Sequence, residues 1–264
     1  MKRNLILSIS ILYVLGCSAT FAQNLVTYIP PNIPQKNSVD TVVTVLDAKT
    51  DYKHVVIYEN GYTLLDGYYK GLVKTGEWMT YYPNGVLLSV AEYANGMKNG
   101  MYLECDKNGT VMVQEYYADD KLNGEQRKYS TNKNVRFVKS IYHYKNGLMD
   151  GTCIDYTDMG YVQSQISYVN GKKNGTARWY FTNGKLAMEQ TYANDVIDGP
   201  QKIYNQQGVL MTDGNFSNNM RNGNWIEYYE SGKMKARGSY TNDKKNADWQ
   251  YWDEKGNVMD GPAN

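Results

Sequence analysis

The chain has 264 residues, with 28 Lys and Arg against 27 Asp and Glu, a formal charge of +1. So even a balance excludes the basic face that nucleic acid requires and any strong attraction to anionic lipid. Tyr (26) and Gly (24) are abundant while Cys numbers 3 and His 2, which leaves little material for metal or thiol chemistry.

In chain order, Met1 to Ala22 reads as a secretory signal peptide. Lys2 and Arg3 precede an apolar run from Leu5 to Leu15, and Thr20-Phe21-Ala22 offers small residues at the cleavage positions before Gln23. The run is shorter than the ~20 residues of a transmembrane helix, and no transmembrane segment is expected once it is removed. Cys17 after Gly16 supports a rival reading, a lipoprotein cleaved before Cys17. Either way the protein is exported, to the periplasm, the outer-membrane surface or the extracellular space. Removing Lys2 and Arg3 leaves 26 basic residues against 27 acidic ones. Residues 23–38 contain Pro30, Pro31 and Pro34 and read as an extended linker or arm. Val39 to Leu46 alternates as a strand does, and 39–52 reads as a cap on the first edge of the array that follows.

That array occupies 53–264. The stretch Gly76 to Asn99 returns from Gly100, Gly124, Gly151, Gly175, Gly199, Gly223 and Ala247, a period of 24 residues broken once by a 27-residue unit. A truncated copy around Tyr58-Glu59-Asn60-Gly61 precedes them. A fixed period of this kind marks a repeat architecture. Each unit carries two runs rich in aromatic and β-branched residues, separated by turns at Pro83-Asn84-Gly85 and Asn95-Gly96. The position of Gly96 recurs as Asp120, Gly147, Gly171, Asp195, Asn219 and Asp243, the residues that tolerate positive φ, so a left-handed hairpin turn is expected there. Two short strands per unit make an all-β, elongated, single-layer antiparallel meander of about eight hairpin repeats. The extra residues, Ser130 to Asn134, lengthen one hairpin loop.

Alternation then sorts side chains to two faces. Tyr81, Cys105, Tyr129, Tyr156, Tyr180, Tyr204, Tyr228 and Trp252 form one column. Leu87 and Tyr93, six residues apart in the second strand, are expected to share a face. A third column, Trp78, Tyr102, Gln126, Cys153, Ala177, Gln201, Trp225 and Trp249, changes from repeat to repeat. Variation of this kind encodes a particular partner, so Trp78, Tyr102, Trp225 and Trp249 are the candidate partner-binding residues, expected to be exposed.

Tyr69 to Tyr82, Tyr168 to Gly175, and Asn222-Gly223-Asn224-Trp225 to Tyr229 follow the pattern Tyr-x-Asn-Gly-x-x-x-Gly-x-Trp-x-x-Tyr. This resembles the bacterial variant of the MORN repeat, over roughly residues 53 to 262. Such arrays are often labelled YwqK-type antitoxins of toxin–antitoxin systems. The resemblance implies a twisted sheet of hairpins that binds a protein or ligand without catalysis, a toxin being one version of the partner.

No enzyme is expected. His54 and His143 fall in no catalytic or metal-binding motif, and no cofactor is implied. Cys105 and Cys153 sit on opposite faces, roughly 19 Å apart at four strand spacings, beyond disulfide reach. The function expected is an exported, non-catalytic repeat protein that binds a protein partner. The alternative is a cell-envelope protein that binds glycan or peptidoglycan.

Overall fold

A computed structural model describes residues 39–132 and 135–262, and the regular elements among them are all β-strands. The readings of 1–22 as a signal peptide and 23–38 as a linker concern residues outside those described. Twenty-two strands join one antiparallel sheet, pairing in the order in which they occur along the chain. Among the described residues the sheet is open: Val39–Asp47 pairs with Tyr52–Glu59 at one end, and Val258–Met259 with Gln250–Trp252 at the other. The meander of hairpins expected from the 24-residue period is the fold. Some strands are interrupted, as where Lys121–Leu122 precedes Gly124–Asn132. There Asn123 turns its N–H to the Tyr116 carbonyl, 2.8 Å away.

The Asn95-Gly96 type of turn carries two successive residues at positive φ, 51° and 82° at Asn95 and Gly96, and 50° and 65° at Asn218 and Asn219. Paired positive φ makes the tight turn whose twist matches the strands it joins. Gly171 (80°), Asp195 (69°) and Asp243 (64°) occupy the same slot, as the substitution pattern predicts. The slot also ties each repeat to the one before. Its N–H donates back to the preceding turn, from Gly171 to Met149 O at 2.7 Å and from Asp195 to Lys173 O at 2.9 Å. Where the residue is Asp or Asn, its side chain adds a reciprocal bond, Lys173 N to Asp195 Oδ1 at 2.8 Å and Ile197 N to Asn219 Oδ1 at 2.8 Å. Glycine lacks this second clasp.

The faces differ from simple alternation because a β-bulge recurs in every full repeat before the last. Thr80 pairs with Ser89 but Tyr81 with Leu87, so Leu88 is an extra residue on its strand. The same slip recurs at Cys105/Val111, Tyr156/Val162, Tyr180/Leu186, Tyr204/Leu210 and Tyr228/Met234. An added residue reverses which side chains point up. Leu87 therefore lies beside Tyr81, and Tyr93 lies on the opposite face beside Trp78. This corrects the shared face expected for Leu87 and Tyr93. The face carrying Trp78 and Tyr93 is called face A below, and the one carrying Tyr81 and Leu87 face B.

The extra residues of the long unit extend one hairpin. Ser130, Thr131 and Asn132 stay in register with Phe137, Arg136 and Val135.

Candidate binding surface

Face A is the more buried side, and the Trp column runs down its centre. Read across both strands, that row sets small residues against the large ones at several rungs. Trp78 pairs with Ala91, Ile166 with Ala177, and Trp225 lies between Gly214 and Gly238. The fit is tight: a Cβ on Gly214 would lie 2.1 Å from the Trp225 ring, and one on Gly67 2.4 Å from the ring of Trp78. Trp78 is 4% exposed and Trp225 7%. The exposure expected for these two is thus corrected: with no Cβ on the facing glycines, the indoles lie flat across neighbouring backbone. Trp249 and Tyr102 are half-buried. Trp78 Nε1 donates to Tyr68 O at 3.0 Å and Trp249 Nε1 to Ser239 O at 2.9 Å, which satisfies the polar edge of each indole.

Beside this row runs a border of rings and cations. Trp225 meets Tyr240 edge-on at 5.4 Å between centroids, and Tyr102 meets Tyr117 at 6.2 Å. Lys98 Nζ lies 4.3 Å from the centre of the Tyr102 ring and Lys245 Nζ 3.8 Å from that of Trp249. These ammonium groups roof the rings that the sheet leaves half-open. In mid-array the buried row turns polar. Gln126 Nε2 and Tyr117 Oη both donate to Glu115, each at 2.6 Å. Burial, then the hydrogen bond to Glu115, push the Tyr117 hydroxyl well above the usual phenol range. Trp78 and Trp225 therefore spend their surface on sheet packing, while Tyr102 and Trp249 keep part of theirs open.

Face B keeps more surface open. Its first border is a strip of Tyr–aliphatic rungs, among them Tyr81–Leu87, Tyr180–Leu186, Tyr204–Leu210 and Tyr228–Met234, all half-buried. Next to the strip runs a central row that starts apolar with Met79, Val90 and Leu103. From Arg178 it carries Glu189, Lys202 and Asp213, opposite charges rung by rung, before Ile226, Arg237 and Gln250. Arg178 Nε reaches Glu189 at 2.6 Å and Lys202 Nζ reaches Asp213 at 3.8 Å. Sequence reasoning missed this row as a source of specificity. Aligning only one strand per repeat hides the partner charges on the other.

Elsewhere on face B, Glu77 and Glu92 are direct cross-strand neighbours. Burial first, and the Glu77 charge after it, raise the Glu92 carboxyl above the usual range, against a backbone hydrogen bond to Met101 that lowers it. A carboxyl raised on folding lends stability while protonated and loses it as pH rises through its folded pKa. Glu92→Gln keeps an acceptor for Met101. It is expected to raise the melting temperature at pH 7 and to change nothing below about pH 4. An equal gain at both pH values would place the cause elsewhere.

Beside the long hairpin lies a cleft of about 370 Å³ lined by Asn132, Val135, Phe137, Asp158, Met159 and Gly160. Met159 is 81% exposed and Val135 66%. His54 Nε2 lies 2.7 Å from Asp66, and His143 Nδ1 2.7 Å from Thr152 O. Among the described residues no group of three or more His, Cys, Asp or Glu is placed to hold a metal. Cys105 and Cys153 are free and buried, and burial raises both thiols.

The MORN repeat variant family matches residues 74–95, 173–194 and 221–242, together 66 of the 264. No curated protein matches. Among solved structures, the complex titled TcdB2-TccC3-Cdc42 aligns at 13% identity over 84% of this chain, with a TM-score of 0.21. TcdB2-TccC3-TEV aligns at 13% identity over 78%, with a TM-score of 0.21. TcdB2-TccC3 itself aligns at 10% identity over 83%, with a TM-score of 0.17. The chain spans only 14%, 14% and 18% of those chains. At such scores the likeness bears on neither fold nor function. The family match falls on three units of the 24-residue period.

Proposed function

We propose that this chain is an exported, non-catalytic binding protein that takes a protein partner on face B. The observation that supports this reading is the Tyr–aliphatic strip. It repeats through the array, stays half-open, and has no second layer over it among the described residues. Tyr supplies large contact area at low entropic cost. The adjoining row, apolar at Met79, Val90 and Leu103 and charged from Arg178 to Asp213, provides the repeat-to-repeat variation that distinguishes one partner from another. An antitoxin-like role, with a toxin as the partner, is the finer version that the resemblance to YwqK-type arrays implies.

The test is photocrosslinking in the native host. A benzophenone side chain replacing Tyr180, Tyr204 or Tyr228 should give one discrete protein adduct, identifiable by mass spectrometry. The same group replacing Lys128, an exposed residue on face A, should give none. Equal labelling from both faces, or none from the strip, would overturn the assignment. An adduct that resists protease and yields to glycosidase would move the reading to an envelope glycan.

A further inference from the structure

Successive hairpins in the array dock through one backbone pattern. Three rungs, a slip and two rungs recur where Ala91 meets Tyr102, Ile166 meets Ala177, Gln190 meets Gln201 and Gly214 meets Trp225. The turn-to-turn bonds recur as well, from Asp195 to Lys173 O and from Asn219 to Ile197 O, both at 2.9 Å. Backbone pairing therefore accepts a hairpin from elsewhere in the array as readily as the right one. Arrays of near-identical units misassemble by leaving a unit out or by exchanging one between copies. The junctions do differ at the buried rung of face A, and there the two sides match. Gly67 and Gly214 leave room for Trp78 and Trp225, since a Cβ on them would fall 2.4 and 2.1 Å from the indoles. Ala91 faces Tyr102. Where neither side is small, both can be polar. Gln126 Nε2 donates to Glu115 at 2.6 Å, and Gln190 faces Gln201, all four residues being buried.

We propose that this rung is an internal address, by which each junction accepts its own hairpin and rejects the others. Leaving out residues 199–222 brings Trp225 against Gln190, where its native junction offers bare glycine backbone. Leaving out residues 175–198 sets the Gln201 amide against Ile166 and removes Met188, whose sulfur that amide meets at 3.8 Å. An amide buried without a partner is costly. One junction lacks this protection. Leaving out residues 223–246 sets Trp249 against Gly214, and Trp249 already lies on a glycine at its own junction. A Cβ on Gly238 would fall 2.5 Å from its ring. The address thus determines which unit the array can lose. The variation that a single column presents as a code for a partner is, across the strands, a code for the chain's own order. The rung belongs to face A and is independent of the partner proposed for face B.

Thermal melts test this on the intact chain and on two variants, one lacking residues 199–222 and the other residues 223–246. The variant without 223–246 should fold and melt cooperatively. The variant without 199–222 has the same length and a turn of the same kind, and should melt at least ~6 °C lower. Both deletions also alter the other rungs of their junctions, so a point change isolates the address. Gln190→Gly in the variant lacking 199–222 restores glycine beneath Trp225 and should raise its melting temperature again. In the intact chain, where Gln190 faces Gln201, the same change should lower it. That reversal of sign is what an address requires and what packing in general does not produce. Two deletions that melt alike overturn the proposal, as does failure of the variant without 223–246 to fold. So does a Gln190→Gly change that fails to raise the melting temperature of the shortened chain.

Discussion

Trp225→Ala is expected to destabilise the array by about 3 kcal/mol or more, the range for emptying a buried aromatic site. The ring is 7% exposed and its edges meet Phe216 at 5.6 Å and Tyr240 at 5.4 Å. Its floor is the bare backbone of Gly214, and Gly238 on its other side lies against the Trp249 ring, so nothing nearby expands into the space. The reciprocal change gives the sharper result. Gly214→Val drives a branched side chain into atoms of the Trp225 ring, where even the first carbon would sit 2.1 Å away. Overpacking of this kind costs about 1–3 kcal/mol. Each single variant leaves the other half of the fit wrong, so the double variant Gly214→Val with Trp225→Ala should be markedly more stable than additivity predicts. Chemical denaturation of the three variants checks this. Strictly additive losses would show that the large–small alternation across the row is incidental.

The turn slot at Gly171 gives the second large effect. With φ at +80°, Gly171→Val meets a conformation that β-branched residues resist, and about 2 kcal/mol should be lost. Gly171→Asn should be near neutral or stabilising for two reasons. Asn219 already holds the equivalent slot at φ 65°, and an added Cβ at Gly171 would meet Leu148 at an ordinary 3.4 Å. The amide would also gain the clasp that Asn219 makes to Ile197 N at 2.8 Å. Thermal melts of the two variants decide the matter: equal losses would mean that the backbone there is not left-handed in solution.

The period, the two-strand unit and the left-handed turns were legible because each is written at fixed spacing in residues with few conformational alternatives. From Gly96 to Asp243, only Asn, Asp and Gly rotate through the slot of Gly171. The faces were not legible beyond the first strand. A bulge inserts one residue within an apolar run, and Leu88 carries no mark that separates it from Leu87. Alternation counted across that point returned the wrong side for Tyr93. The burial of Trp78 and Trp225 had a signal that was available in the sequence but lay on the other strand. Gly67, Ala91, Gly214 and Gly238 sit opposite the indoles, and a row read across both strands shows small against large where a column read down one strand shows only variation. The candidate surface consequently moves from the Trp column to the Tyr–aliphatic strip and the charged row of face B.

The backbone-to-backbone bonds that link successive turns all run in one sense, opposite to that of the Asp and Asn side-chain clasps. In each case the later repeat supplies the backbone N–H and the earlier one the carbonyl, as from Gly171 to Met149 and from Asn219 to Ile197. The array therefore has a direction of assembly. Each hairpin leaving the ribosome finds its acceptor already in place on the hairpin made just before it, so the order of synthesis and the order of docking coincide.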